Sequence, residues 1–78
     1  MNASEAAKHA LGLASELLSG YKHENTRIEE IKRRKTKSGD GIWDITVSLC
    51  GPGNTFAYKL VSFRSGGALV SISDRRMF

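Results

Sequence analysis

Cys50, His9 and His23 are the side chains of this sequence that offer a nucleophile or a general base near neutral pH. A thiol nucleophile needs a base within hydrogen-bond reach and a third group to orient that base. Cys50 closes an alternating apolar run and His9 falls among the polar positions of a helical pattern, so nothing in their spacing brings them together and structural roles are expected of both. No two candidate ligands have metal spacing on a shared helical face, and one cysteine excludes a site of paired thiolates. Neither a metal nor a cofactor is expected. Asp40 and Asp44 flank the start of a strand pattern, and turn chemistry for the first and a solvent-facing strand position for the second account for them. The glycines at 39 to 41, 51 to 53 and 66 to 67 do not precede helices, as a phosphate cradle requires, and read as hairpin turns. The expectation is a chain that is not an enzyme.

The one cluster with functional reach is basic. Lys32, Arg33, Arg34, Lys35 and Lys37 fall within six residues, whereas residues 1 to 20 carry Glu5 and Glu16 against Lys8. Such a run attracts phosphate or an acidic partner through counterion release, and a strand bearing it could follow a nucleic-acid backbone. It also suits the edge of a sheet, where charge blocks sheet-to-sheet pairing. Edge protection is the favoured reading, because no base-stacking set of aromatics accompanies the run.

The elements that must position these groups follow from periodicity. Ala3, Ala6, Ala7, Ala10, Leu11, Leu13, Ala14, Leu17 and Leu18 recur at three- and four-residue spacing, which predicts an amphipathic helix over residues 3–19. Asn2 and Glu5 fit a capping box at its start, and Gly20 stands where a left-handed residue ends a helix. Trp43, Ile45, Val47 and Leu49 alternate with Asp44, Thr46 and Ser48, predicting a strand over about 42–50 with one face buried and one wet. Residues 55–64 are β-rich on both alternating sets and read as a central strand. Gly51-Pro52-Gly53-Asn54 makes the turn into it, and Ser65-Gly66-Gly67 the turn into a further strand over about 68–74.

Residues 26–35 suit a short helix or a strand, and a strand is preferred because only Ile28 and Ile31 would anchor a helix. The three-residue spacing of those isoleucines then requires a bulge, since regular alternation would set them on opposite faces. The expected architecture is α+β, one N-terminal amphipathic helix packed on a four-stranded antiparallel meander sheet, in a single domain over residues 1–78. Leu17 and Trp43 are expected in its core, Trp43 as packing rather than as a ligand platform.

Composition agrees with a folded domain. Hydrophobic residues make 40% and charged residues 26% of 78 residues, with a formal net charge of +4. One cysteine leaves no intramolecular disulfide, which fits a reducing, cytoplasmic setting. The N-terminal residues lack the order of a signal peptide, and no apolar stretch reaches the ~20 residues that a bilayer crossing needs.

The small-residue helix, followed by Ile28-Glu29-Glu30-Ile31, Gly41-Ile42-Trp43-Asp44-Ile45-Thr46-Val47, Tyr58-Lys59 and Gly67-Ala68-Leu69-Val70-Ser71-Ile72, resembles small bacterial domains of the PepSY-like type. It is also similar to the gas vesicle protein O group, in which a helix precedes a Trp-x-Val-Thr-Val strand. The resemblance covers nearly the whole chain, transfers no site residue, and implies a non-enzymatic binding or accessory role. That family's association with exported proteins is not matched by a signal peptide here.

The expected function is therefore a small non-catalytic protein-binding or regulatory module; the alternative is a nucleic-acid-associated basic protein using residues 32–37. The last strand supplies the expected interface. Ala68, Leu69, Val70, Ser71, Ile72 and Ser73 contain neither charge nor proline, so this edge invites a second copy or a strand from a partner. A tail of residues 74 to 78 folded back over the edge is the competing expectation.

Overall fold

The computed structural model describes residues 1–18, 22–37, 39–51, 53 and 55–75, and the side chains of all of these except 22–25. Ser19, Gly20, Ser38, Pro52, Asn54 and residues 76 to 78, with the His23 side chain, lie outside what is described. So do the roles expected of them as helix terminator, turn residues, base and edge cover.

Helix α1 spans Ala3–Leu17. Asn2 Oδ1 accepts from the Glu5 amide at 2.9 Å, and Glu5 Oε1 accepts from the Asn2 amide at 2.9 Å, so the capping box satisfies two otherwise orphaned donors. The helix stops two residues before the expected end, at the cap residue Leu18, whose amide still donates to the Ala14 carbonyl at 2.9 Å. Its inner face is a stripe of Ala6, Ala10 and Ala14, all fully buried, with Leu13 and Leu18 packed alongside. Alanine on that stripe lets the helix axis approach the sheet closely. Leu17 does not enter the core. It is 51% exposed, because the last turn lies beside the sheet rim, where Leu17 lines a groove with Leu69 and Ile72.

Strands β1 (Lys22–Lys35), β2 (Gly41–Cys50), β3 (Phe56–Arg64) and β4 (Leu69–Asp74) form one antiparallel sheet in chain order, so the fold is an α+β helix on a four-stranded meander. Residues 26–35 are strand, as preferred, and β1 begins four residues earlier than expected, at Lys22, which pairs with Cys50 in register. The bulge required by the isoleucine spacing is present. Ile28 pairs with Val47 and Ile31 with Ile45, both on the helix-facing side, and the register shifts between Ile28 and Glu30.

Trp43, Ile45, Val47, Leu49, Val61 and Phe63 face α1 and form the core with the alanine stripe. Trp43 is thus core, as expected, with the Arg33 guanidinium 5.4 Å from its ring centroid. His9 is not a solvated residue of the outer helix face. Its Nε2 lies 2.7 Å from the Gly67 carbonyl, which can only accept, so the proton sits on Nε2, and its ring meets Phe63 edge-on at 4.7 Å. Gly67 has φ +103, and a Cβ there would stand 3.3 Å from the same Nε2.

The opposite face of β2 is not the wet surface that alternation suggested. Thr46 is 0% exposed, Ser48 and Ser62 are buried, and Asp44 is engaged with Arg34 and Ser62 rather than with solvent. The reason lies in the neighbouring strands. Register sets Glu30, Thr46, Leu60 and Ser73 in one row across the sheet, and long side chains from the flanking strands close over its middle. Arg75 Nη2 reaches Glu30 Oε1 at 2.8 Å, joining opposite edges over that row.

Candidate functional site

The basic run lies on β1, an edge strand, and strand alternation divides it. Arg33 faces the helix side beside Trp43, opposite which it is paired in register, whereas Lys32 and Arg34 pair with Asp44 and Ile42 on the open face. Arg34 forms a two-point ion pair with Asp44, one contact being Nη2 to Oδ1 at 3.0 Å, and Lys32 Nζ lies 3.8 Å from Glu30. The Arg34 guanidinium holds the Asp44 carboxyl below the usual carboxylate range, against desolvation and with help from the Ser62 hydroxyl and the charges of Arg34 and Arg75. The hydrogen bond to Asp44, followed by its charge, raises Arg34 in turn. Among the described residues Arg33, Lys35 and Lys37 make no ion pair, and Arg33 lies over the Trp43 ring, so Lys35 and Lys37 are the two of the five cations left to a phosphate and the run is not one continuous patch.

The other edge is β4. Leu69 is 43% and Val70 48% exposed, and Ala68, Ser71 and Ser73 are exposed beside them, with Ile72 half-buried against the core. The helix lies over β1, β2 and β3, which leaves these apolar side chains uncovered. A groove of about 410 Å³ follows the edge, lined by Leu17, Leu18, Leu69 and Ile72 and closed at one end by the Lys59–Asp74 ion pair. The register of β4 on β3 shifts between Ser62 and Phe63, which places a bulge at Val70. Arg75 does not fold over the edge; its amide donates to the Tyr58 carbonyl at 2.9 Å and its side chain crosses the open face to Glu30.

A second concavity, about 360 Å³, opens at the far end of the open face, lined by Arg27, Glu29, Ser48, Cys50, Phe56 and Tyr58. Glu29 is the residue that the β1 bulge inserts, so Glu29 and Glu30 both serve this face: Glu29 accepts from Ser48 Oγ at 2.9 Å and Glu30 takes Arg75. Phe56 is 68% exposed. No sequence pattern pointed to this group, because it comes from three strands and only register assembles it. The nearest signal was the bulge demanded by Ile28 and Ile31, which re-aims Glu29, one of the two residues between them.

The pairing of thiol and imidazole does not form. Cys50 is buried at the Phe56 end of the hairpin, while His9 contacts Phe63 and Gly67 at the other end, seven strand positions or ~23 Å away at ~3.3 Å each. Among the described residues no three His, Cys, Asp or Glu side chains gather as a metal site would require, and no helix is long and apolar enough to cross a membrane. Comparison with protein-family models, with curated proteins and with solved structures returns no match.

Proposed function

We infer that this chain is a small non-catalytic protein-binding or regulatory accessory module that acts through the β4 edge, and that its first partner is a second copy of itself. The observation that carries this reading is the exposure at one edge of Leu69 and Val70 on β4, with Leu17 lining the groove beside Leu69, three of the exposed large hydrophobics among the described residues. A strand added there gains backbone hydrogen bonds and a groove for an apolar side chain, and β4 itself offers both, which suits a two-fold arrangement. Antiparallel pairing centred on Ser71 sets Asp74 opposite residue 68, so the one charged residue of the strand does not meet its own kind. The resemblance to small bacterial accessory domains goes with a regulatory or accessory role, and the single buried thiol with a cytoplasmic setting.

Sedimentation of wild type beside Val70→Lys tests the reading, since an exposed lysine blocks edge pairing without entering the core. Self-association of wild type that the variant lacks supports it. A wild type monomeric at every concentration removes the second copy and leaves a partner strand as occupant.

The basic run supports a second reading, nucleic-acid contact, through Lys35 and Lys37. Its test is binding of mixed DNA and RNA at low salt, with the five basic residues changed to serine as the control.

A further inference from the structure

We propose that the concavity at the far end of the open face is a nucleotide site, with the base stacked on Phe56 and the phosphate held by Arg27. The site shares no residue with the β4 edge and does not rest on the reading given to that edge.

An exposed aromatic at this position has a geometric cause. β4 ends at Asp74, opposite Lys59, so among the described residues Cys50 is the one strand neighbour paired with Phe56. Phe56 is left 68% exposed, with Tyr58 two residues along on the same face. A planar base needs only such a π-face, and stacking there is indifferent to which base is bound.

The anion is specified by Arg27, which stands opposite Ser48 in register, across β2 from Tyr58. Arg34 and Arg75 on the same face are engaged by Asp44 and Glu30, but Arg27 is exposed and has no ion-pair partner among the described residues. A guanidinium takes a phosphate through two parallel hydrogen bonds, and the chain's charge of +4 favours the approach of an anion.

The acceptor is Glu29. One of its oxygens is held by the Ser48 hydroxyl at 2.9 Å, and the other has no protein donor among the described residues. A carboxylate oxygen fixed beside a stacking ring accepts an N–H from the edge of a base, which favours bases with an exocyclic amino group. The bulge that inserts Glu29 is a feature that often re-aims a side chain at a binding site. A volume of about 360 Å³ lies at the small end of ligand pockets and suits one nucleotide, free or as a unit of a single strand.

Amide shifts of the full chain should be followed during titration with AMP, with ribose 5-phosphate and with a short oligoadenylate. The proposal expects AMP to shift Ser48, Cys50, Phe56 and Tyr58, and expects affinity to fall about ten-fold in Phe56→Ala. Arg27→Gln should weaken the site too. Both replaced side chains are exposed, so an unchanged melting temperature shows that the variants are folded. Tighter binding of the oligoadenylate at the same amides assigns the site to single strands, and equal or weaker binding assigns it to free nucleotides. No shift at these four amides with either nucleotide probe overturns the proposal. So does unchanged affinity in both variants, or ribose 5-phosphate binding as well as AMP.

Discussion

Arg75 Nη2 sits 2.8 Å from Glu30 Oε1 although the two residues belong to opposite edges of the sheet. The contact crosses the row of Thr46 and Leu60, and it helps to explain how a threonine on the face away from the helix is fully buried. Each side chain is about 30% exposed, which places the pair between a solvated surface bridge and a desolvated one. Arg75→Met and Glu30→Gln should each cost ~1 kcal/mol, with a favourable coupling of ~0.5–1 kcal/mol in a double-mutant cycle by urea denaturation. Additive losses would mean that the pair does not act as a strap.

Acid should weaken the fold through Asp44. Its carboxyl is held below the ordinary range chiefly by the Arg34 hydrogen bond, so its stabilising contribution is complete above an unfolded value of ~3.9 and is lost as pH falls through the lower folded value. Asp44→Asn should be less stable than wild type at neutral pH and should lose less stability than wild type on passing from pH ~5 to ~2. Parallel stability curves for the two proteins would contradict this assignment.

The core and its margin should separate cleanly. Trp43→Ala empties a buried site and should cost ~3–5 kcal/mol, much of the stability of a chain this size, whereas Leu17→Ala should change stability by less than ~1 kcal/mol. Thermal melts of the two variants decide it; equal losses would place Leu17 inside.

The contrast between those two residues also shows what could be read from the sequence. Strict alternation around Trp43 and the alanine and leucine periodicity fixed the element types, and the spacing of Ile28 and Ile31 demanded a bulge that is present. Leu17 shares that helical period but misses the core, because periodicity gives the direction of a side chain and not how far the partner surface extends. The burial of Asp44, Thr46 and Ser48 was likewise hidden, since it depends on Arg34, Glu30 and Arg75 arriving through strand register. The concavity of Arg27, Glu29 and Phe56 was illegible for the same reason.

Gly67 should resist substitution. Its φ of +103 is a region that L side chains rarely adopt, and its carbonyl receives the His9 imidazole, so Gly67→Ala should lower stability by ~1–3 kcal/mol. Calorimetry of this variant with His9→Ala checks the link: if the hairpin anchors through His9, the two losses combine to less than their sum.

If the β4 edge pairs with another strand, in the first instance its own copy, its unpaired amides become protected on association. Amide hydrogen exchange across residues 69–73, measured in dilute and in concentrated protein, tests it most directly. Self-pairing predicts that the outward-facing amides of this segment exchange more slowly as concentration rises, while those of β1 do not change. Exchange in 69–73 that is equally fast at every concentration would show that the edge does not pair with its own copy.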